Sequence, residues 1–358
     1  MDEALLAQIN AIVVQAGRPL LNKKADEPLR AKRDTDVLET NVHFPTDLNL
    51  LWDACRTCLV LLPRLARPHH QSGWRKAAIW RTQLKTLLRV CGTIHHGGGA
   101  KKRERLEAAV TAYLQKAYTL EQKVFASLGE LRAQPLSLVE QRTVAEVEYF
   151  HEKLIKHLDL IERRVLKGET IPHAENDVSL FEPHTEWISK GKASAPVELG
   201  HKVLLTTDQY SLILDYKVMT QSSDVKETLP LADRLLARFG HGSLQSWSVD
   251  KGLSAQQDRE LFERLIPEVI MPKKGRRSQA DQARETQKTF RRLRRQHRAI
   301  ESDMNALEHH GLNRCLDKGW SGFQRYVGFG ILADHLHKIG HRLLEHDRRR
   351  QSRLKTAA

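Results

Sequence analysis

The apolar positions change period along the chain. Leu5, Leu6, Ile9, Ile12 and Val13 recur at spacings of three and four, which predicts an amphipathic helix over residues 1–22. A polar stretch, residues 22–33, follows. Residues 34–44 are rich in β-branched side chains and read as a strand stopped by Pro45. Thr46 or Asp47 then caps a long helical region, with helices near 47–64, 71–95, 101–128 and 138–168. Pro63, Pro68, the glycines at 97–99 and Pro135 separate them, and Leu154, Leu158, Ile161 and Val165 keep helical spacing in the last.

After Pro172 the period shortens to two. Val197, Leu199, Val203 and Leu205 alternate, as do Tyr210, Leu212, Leu214, Tyr216 and Val218. With only Thr206, Thr207 and Asp208 between them, these runs predict a hairpin. A helix over 229–239, a strand over 244–249, a helix over 255–265 and a short strand over 269–271 come next. Residues 272–280 read as a basic loop, 281–309 as one long helix, 320–348 as further helix and 348–355 as a frayed tail. No internal repeat is present.

A lone strand cannot bury its edges, so the first strand must pair with strands beyond the helical block. The order predicts an α/β protein: an RNase H-like core, its mixed sheet of about five strands interrupted by an all-helical insertion after the first strand. The expected divisions are an N-terminal helix and linker (1–32), the first core strand (33–46), the insertion (47–175), the rest of the core (176–311) and a C-terminal helical extension (312–358).

Composition changes this picture in one respect. The 358 residues carry a formal net charge of +14, which calls for a polyanionic partner, nucleic acid being the commonest. Aromatic residues make up only 6%, few for stacking single-stranded bases. The longest apolar runs, such as residues 58–62, are far short of the ~20 residues that span a bilayer. The first residues lack a basic segment, so a cytoplasmic protein without a membrane partner is expected. Cys55 and Cys58 have the spacing of half a zinc site, but they fall in an apolar helix without a second pair and read as buried thiols, like Cys91 and Cys315.

Three acids stand out. Asp34 opens the first strand, Asp250 follows the strand over 244–249, and Glu301 lies in the long basic helix. Strand-end carboxylates and a helix carboxylate can converge at one edge of such a sheet, and hard oxygen ligands select Mg²⁺ or Mn²⁺. Two such ions ~3.5–4 Å apart activate an attacking oxygen and stabilise the leaving one in phosphodiester chemistry. Plainer roles exist for each: Asp34 could be a turn or cap residue, Asp250 could cap the next helix, and Glu301 could pair with Arg294, Arg298 or Asn305. Lys190, Lys192, Lys251, Lys273, Lys274, Arg276 and Arg277 flank these acids, and Arg291, Arg292, Arg294, Arg295 and Arg298 crowd the helix of Glu301. Five arginines in eight positions without an acid among them repel one another unless an anion intervenes, which favours phosphate contacts. Arg64, Arg67, Arg75, Lys76 and Arg81 form a weaker patch, with Trp74 and Trp80 read as core.

Residues 34–47 (DTDVLETNVHFPTD) resemble the first catalytic strand of bacterial insertion-sequence transposases of the DDE class, most closely the ISNCY group, related to the IS-four and IS-five types. Residues 179–192, 207–210, 248–252, 271–275 and 300–315 extend the resemblance over nearly the whole chain from about residue 30. It implies an RNase H-like fold with Asp34, Asp250 and Glu301 as the metal triad. It implies Mg²⁺-dependent cutting of element ends, probing of double-stranded DNA as both donor and target, strand transfer and homo-oligomers on DNA. Three departures stand against the pattern. The first catalytic strand begins by residue 34, where relatives carry a longer DNA-binding region, so a truncated remnant that binds DNA without catalysis is the alternative. Asp36 replaces the usual Thr or Ser and shares the face of Asp34. The Tyr-x-x-Arg-x-x-x-Glu spacing is missing, leaving the phosphate-binding arginine to Arg294 or Arg298.

Overall fold

The computed structural model describes residues 2–22, 24, 26–189, 197–220, 226–250 and 256–357. The chain forms two compact units, one made of residues 1–42 and 184–358, the other of residues 43–183. In chain order the elements are α1 (Glu3–Leu21), β1 (Leu29–Thr40), α2 (Asp47–Ala66), α3 (Ala77–His96), α4 (Lys102–Arg132), α5 (Leu138–Ile161), β2 (Glu186–Ser189), β3 (Val197–Thr207), β4 (Ile213–Val218) and α6 (Thr228–Phe239). There follow β5 (Leu244–Val249), α7 (Gln256–Leu265), β6 (Glu268–Ile270), α8 (Gln279–Thr286), α9 (Lys288–His297), α10 (Ala299–Leu307), β7 (Arg314–Cys315) and α11 (Gly319–Ala357).

The first unit is mixed α/β, built on a seven-stranded open sheet in the order β2-β3-β1-β5-β6, with β4 on β3 and β7 on β1. β1 runs antiparallel to β3 and parallel to β5, β5 parallel to β6. Two strands share one edge of β1: β5 ends at the pair Arg33↔Val249 and β7 begins at Glu39↔Arg314. β1 starts at Leu29, earlier than residue 34, and ends at Thr40. Its charged first half hides the strand from a reading of polarity, because Lys32 and Arg33 are buried with partners: Lys32 Nζ lies 3.2 Å from Asp303 Oδ2, and the Arg33 guanidinium donates to Thr228 Oγ1.

Alternation along β1 sorts the two faces. Leu29 and Ala31 join Val14, Leu231, Trp247 and Phe262 in one core, while Leu38 joins Val203, Leu307, Phe323 and Ile331 in another. Gly200 is required where β3 crosses β1, since a Cβ there would overlap the Leu38 carbonyl. The hairpin turn starts two residues later than predicted. β3 runs through Thr207, and Asp208 accepts from the Tyr210 and Leu212 amides at 2.8 and 3.0 Å, closing an Asx turn.

Two helical expectations are corrected. Residues 281–309 form three helices, because Gln287 is extended (ψ 141°) and Arg298 turns tightly, the Glu301 amide bonding the Arg298 carbonyl at 3.1 Å. Neither break carries Gly or Pro, so no local signal marks it. Residues 348–355 continue α11 as helix. α1 is the one helix among the described residues long and apolar enough to cross a membrane by length and composition, a property the run lengths did not reveal. It packs along α11, and its Asn10 donates 3.0 Å to the Ile213 carbonyl.

The second unit is helical. α2 to α5 enclose Leu51, Leu62, Leu84, Tyr113 and Leu154, each with essentially no exposure. Thr46 caps α2, its hydroxyl accepting 3.2 Å from Asn49 N, and a Ser137–Glu140 capping box starts α5. The four cysteines are buried free thiols, and burial pushes the Cys58 thiol up to about 12. Trp74 is buried and donates 3.0 Å to Ser127 Oγ, while Lys116 Nζ sits 3.7 Å over the Trp80 ring. An ionic network is enclosed where α2 starts and α5 ends. His157, fully buried, lies 3.2 Å from Asp177 and 3.7 Å from Asp47; Lys153 and Lys156 also hold Asp177, at 2.9 and 3.0 Å.

Candidate active site and nucleic-acid interface

The register of β1 and β5 sets the first two acids side by side. Arg33 pairs with Val249 across parallel strands, and the next residues are Asp34 and Asp250. Asp34 lies where β1 has lost β5 and not yet gained β7. Its carboxylate accepts from the Thr35 amide at 2.8 Å. Asp250 is exposed, and residues 251–255, between it and Gln256 of α7, lie outside the described residues.

Glu301 comes from α10, which is anchored across the same face of β1. Asp303, 6% exposed, accepts from Lys32 Nζ at 3.2 Å and from Thr207 Oγ1 at 2.9 Å. Lys32 and Thr207 are themselves a pair in the β1–β3 register. Lys32, Asp34 and Asp36 lie on one face by alternation, so this anchor brings the first turn of α10 to the acids. Glu301 is exposed and makes no ion pair among the described residues, so none of its suggested helix partners holds it.

Electrostatics registers the convergence. Burial, then the charges of Asp250, Asp36 and Glu301, raise the Asp34 carboxyl to about 6, against which the Thr35 amide works. Beside them Ser248 Oγ meets His297 Nδ1 at 3.0 Å, linking the end of β5 to the end of α9. Burial lowers His297 to about 4, opposed by the Asp250 charge and helped by Lys32 and Arg294, so its imidazole is neutral at pH 7. Among the described residues no three His, Cys, Asp or Glu side chains form a ready-made metal cage. The donor chemistry nevertheless suits a hard divalent cation: the acids are oxygen donors, two of them solvent-exposed, and their mutual repulsion is what a cation relieves.

The basic residues divide. Arg277, Arg291, Arg294, Arg295 and Arg298 line one open cleft of about 760 Å³ with Glu285. Glu285 corrects the expectation of an uncompensated arginine run. Its buried carboxylate takes Arg277 Nε at 3.1 Å, Arg294 at 3.9 Å and the Lys273 amide at 2.8 Å. Lys274, Arg276 and Arg292 are exposed and do not line the cleft. Lys190, Lys192 and Lys251 lie outside the described residues.

No protein-family model, curated protein or solved structure matches the chain. The site therefore rests on its own geometry.

Sequence reasoning passed over Asp303, Lys32, His297 and Glu285. Asp303, Lys32 and His297 work by burial against partners far along the chain, and Glu285 by burial against cations on neighbouring turns and loops, and no spacing rule reports either. Residues 207–210 proved to be a structural staple: Gln209 bonds Pro28 O and Arg30 N, both at 3.0 Å, and Tyr210 bonds Glu27 at 2.5 Å.

Proposed function

We propose that this protein is a DDE-type transposase: a Mg²⁺-dependent enzyme that cleaves DNA at the ends of an insertion sequence and transfers the strand to target DNA. The helical unit is read as an insertion in an RNase H-like core. The observation that carries the proposal is the meeting of acids from separate segments: the Arg33↔Val249 register sets Asp34 beside Asp250, and the anchoring of Asp303 to Lys32 and Thr207 holds α10, with Glu301 in its first turn, over the same face of β1.

In this reading Asp34, Asp250 and Glu301 would hold the cation, Mg²⁺ or Mn²⁺ and two ions in the full site. When bound, the ions supply Lewis acidity at the scissile phosphate and lower the pKa of the attacking hydroxyl or water. The chain supplies the rest. Asp303 fixes α10 so that Glu301 faces the sheet acids, and Ser248 with His297 braces the strand end that carries Asp250. The arginine cleft leads by way of Arg298 to Glu301 and would seat backbone phosphates, with Glu285 spacing Arg277 and Arg294. Duplex DNA is thus the proposed partner, bound by a homo-oligomer.

The test is a paired assay of Asp250→Asn against wild type on DNA carrying the element's ends. Nicking in Mg²⁺ should be nearly abolished, while duplex binding is kept or improved as one negative charge leaves the phosphate path. Equal nicking in both would remove Asp250 from the site. Salt-dependent binding without nicking by wild type would favour the DNA-binding remnant.

A further inference from the structure

α11 outruns the domain it belongs to. Arg342 is its last partly covered residue, with Nε 3.4 Å from the Leu20 carbonyl near the end of α1. From Leu343 to Lys355 every residue is exposed. At 1.5 Å per residue this leaves roughly 20 Å of helix without packing. A bare segment of this length is marginal as a helix in water.

Its charge adds to the difficulty. Arg348, Arg349, Arg350, Arg353 and Lys355 face only Glu345 and Asp347. Glu345 is taken by Arg342 at 3.0 Å and Arg349 at 3.8 Å. Arg348, Arg350, Arg353 and Lys355 make no ion pair among the described residues. Arg349 and Arg353 stand four apart and Arg350 and Arg353 three apart, and like charges at i,i+4 destabilise a helix by a few tenths of a kcal/mol.

We infer that this arm is a second nucleic-acid contact, separate from the arginine cleft, which lies along the phosphate backbone of duplex DNA and is held helical by it. Phosphates would remove the repulsion that the bare helix suffers. A lipid surface fits less well. Leu343 and Leu354 share a face but Asp347 and Arg350 interrupt it, and residues 341–357 hold no Trp, Tyr or Phe to sit at an interface. The inference rests on DNA as the partner and not on the cleavage chemistry.

The experiment compares full-length wild type with Arg348→Gln, Arg349→Gln, Arg350→Gln and Arg353→Gln combined. Glutamine keeps helix propensity and the sites are exposed, so folding is preserved. Affinity for a labelled duplex is measured across a salt series, with phosphatidylserine–phosphatidylcholine vesicles as a second arm. At about 0.9 per neutralised phosphate, the slope of log K against log salt should shrink by roughly 3 to 4, with affinity at 0.1 M salt falling at least tenfold. The reverse variant, Glu345→Gln with Asp347→Asn, should bind duplex more tightly. An unchanged slope, or a loss confined to vesicles, overturns the inference. Arm-dependent duplex binding by a wild type that never nicks overturns the catalytic reading alone.

Discussion

Asp34 concentrates the conflict at the candidate site. A carboxyl held near 6 in the folded chain, against an ordinary 3.8, costs stability once ionised. The sign follows: the folded state is favoured most below the ordinary value and loses stability as pH rises through 3.8 toward 6. Asp34→Asn can still accept from the Thr35 amide. In metal-free buffer at pH 7 it should therefore unfold later than wild type, by about 2 kcal/mol in urea titrations, the gain vanishing below about pH 4. A variant no more stable than wild type at pH 7 would mean that neither burial nor the neighbouring carboxylates burden Asp34.

At the scale of elements, the junction of α2 and α5 depends on the network around His157. Burial opposes its charge, but Asp177 and Asp47 outweigh burial and raise its pKa. Asp177 moves the other way: burial would raise it, yet His157, Lys153 and Lys156 hold it far below the ordinary range. The raised histidine contributes stability that is complete below its ordinary 6.5 and lost as pH rises through its folded value. The depressed aspartate contributes stability present above its ordinary 3.8 and lost as pH falls below it. The network should thus be strongest between roughly pH 4 and 6.5. Asp177→Asn should cost about 3 kcal/mol in that window, with the deficit shrinking toward acid in thermal melts at several pH values. A deficit independent of pH would mean that packing, not charge, is lost. α10 is held by the same kind of device, a buried charge with a partner from another element, and there it aims Glu301.

Over the whole molecule, the net charge of +14 is unevenly compensated. Part of the arginine cleft is neutralised by Glu285, which leaves Arg291, Arg295 and Arg298 as the cleft cations facing solvent without that carboxylate. Replacing these three by Ala should weaken duplex binding whatever the sequence and reduce the salt slope by about 2.7. Filter binding at several salt concentrations would measure it, and an unchanged slope would show that DNA does not enter the cleft. Arg292, outside the cleft, should matter less than any of the three.

Periodicity alone determined most elements of this protein, because helix and strand periods are local consequences of backbone geometry. The four helices after the first strand, the β3–β4 hairpin and β5 could all be read this way, as could the Thr46 cap. So could the candidacy of Asp34, Asp250 and Glu301, since acids at strand ends and in a basic helix are local features. Tertiary structure decided what locality cannot contain. Lys32 and Arg33 look like linker residues until Asp303 and Thr228 receive them, and β1 therefore begins earlier than its polarity suggests. At Gln287 and Arg298 no residue forbids a continuous helix, yet the chain breaks there, with α9 lying on β5 and β6 and α10 on β1. The pairing of Arg33 with Val249 alone makes Asp34 and Asp250 neighbours, because register is set by packing across a sheet whose strands are more than two hundred residues apart in the chain.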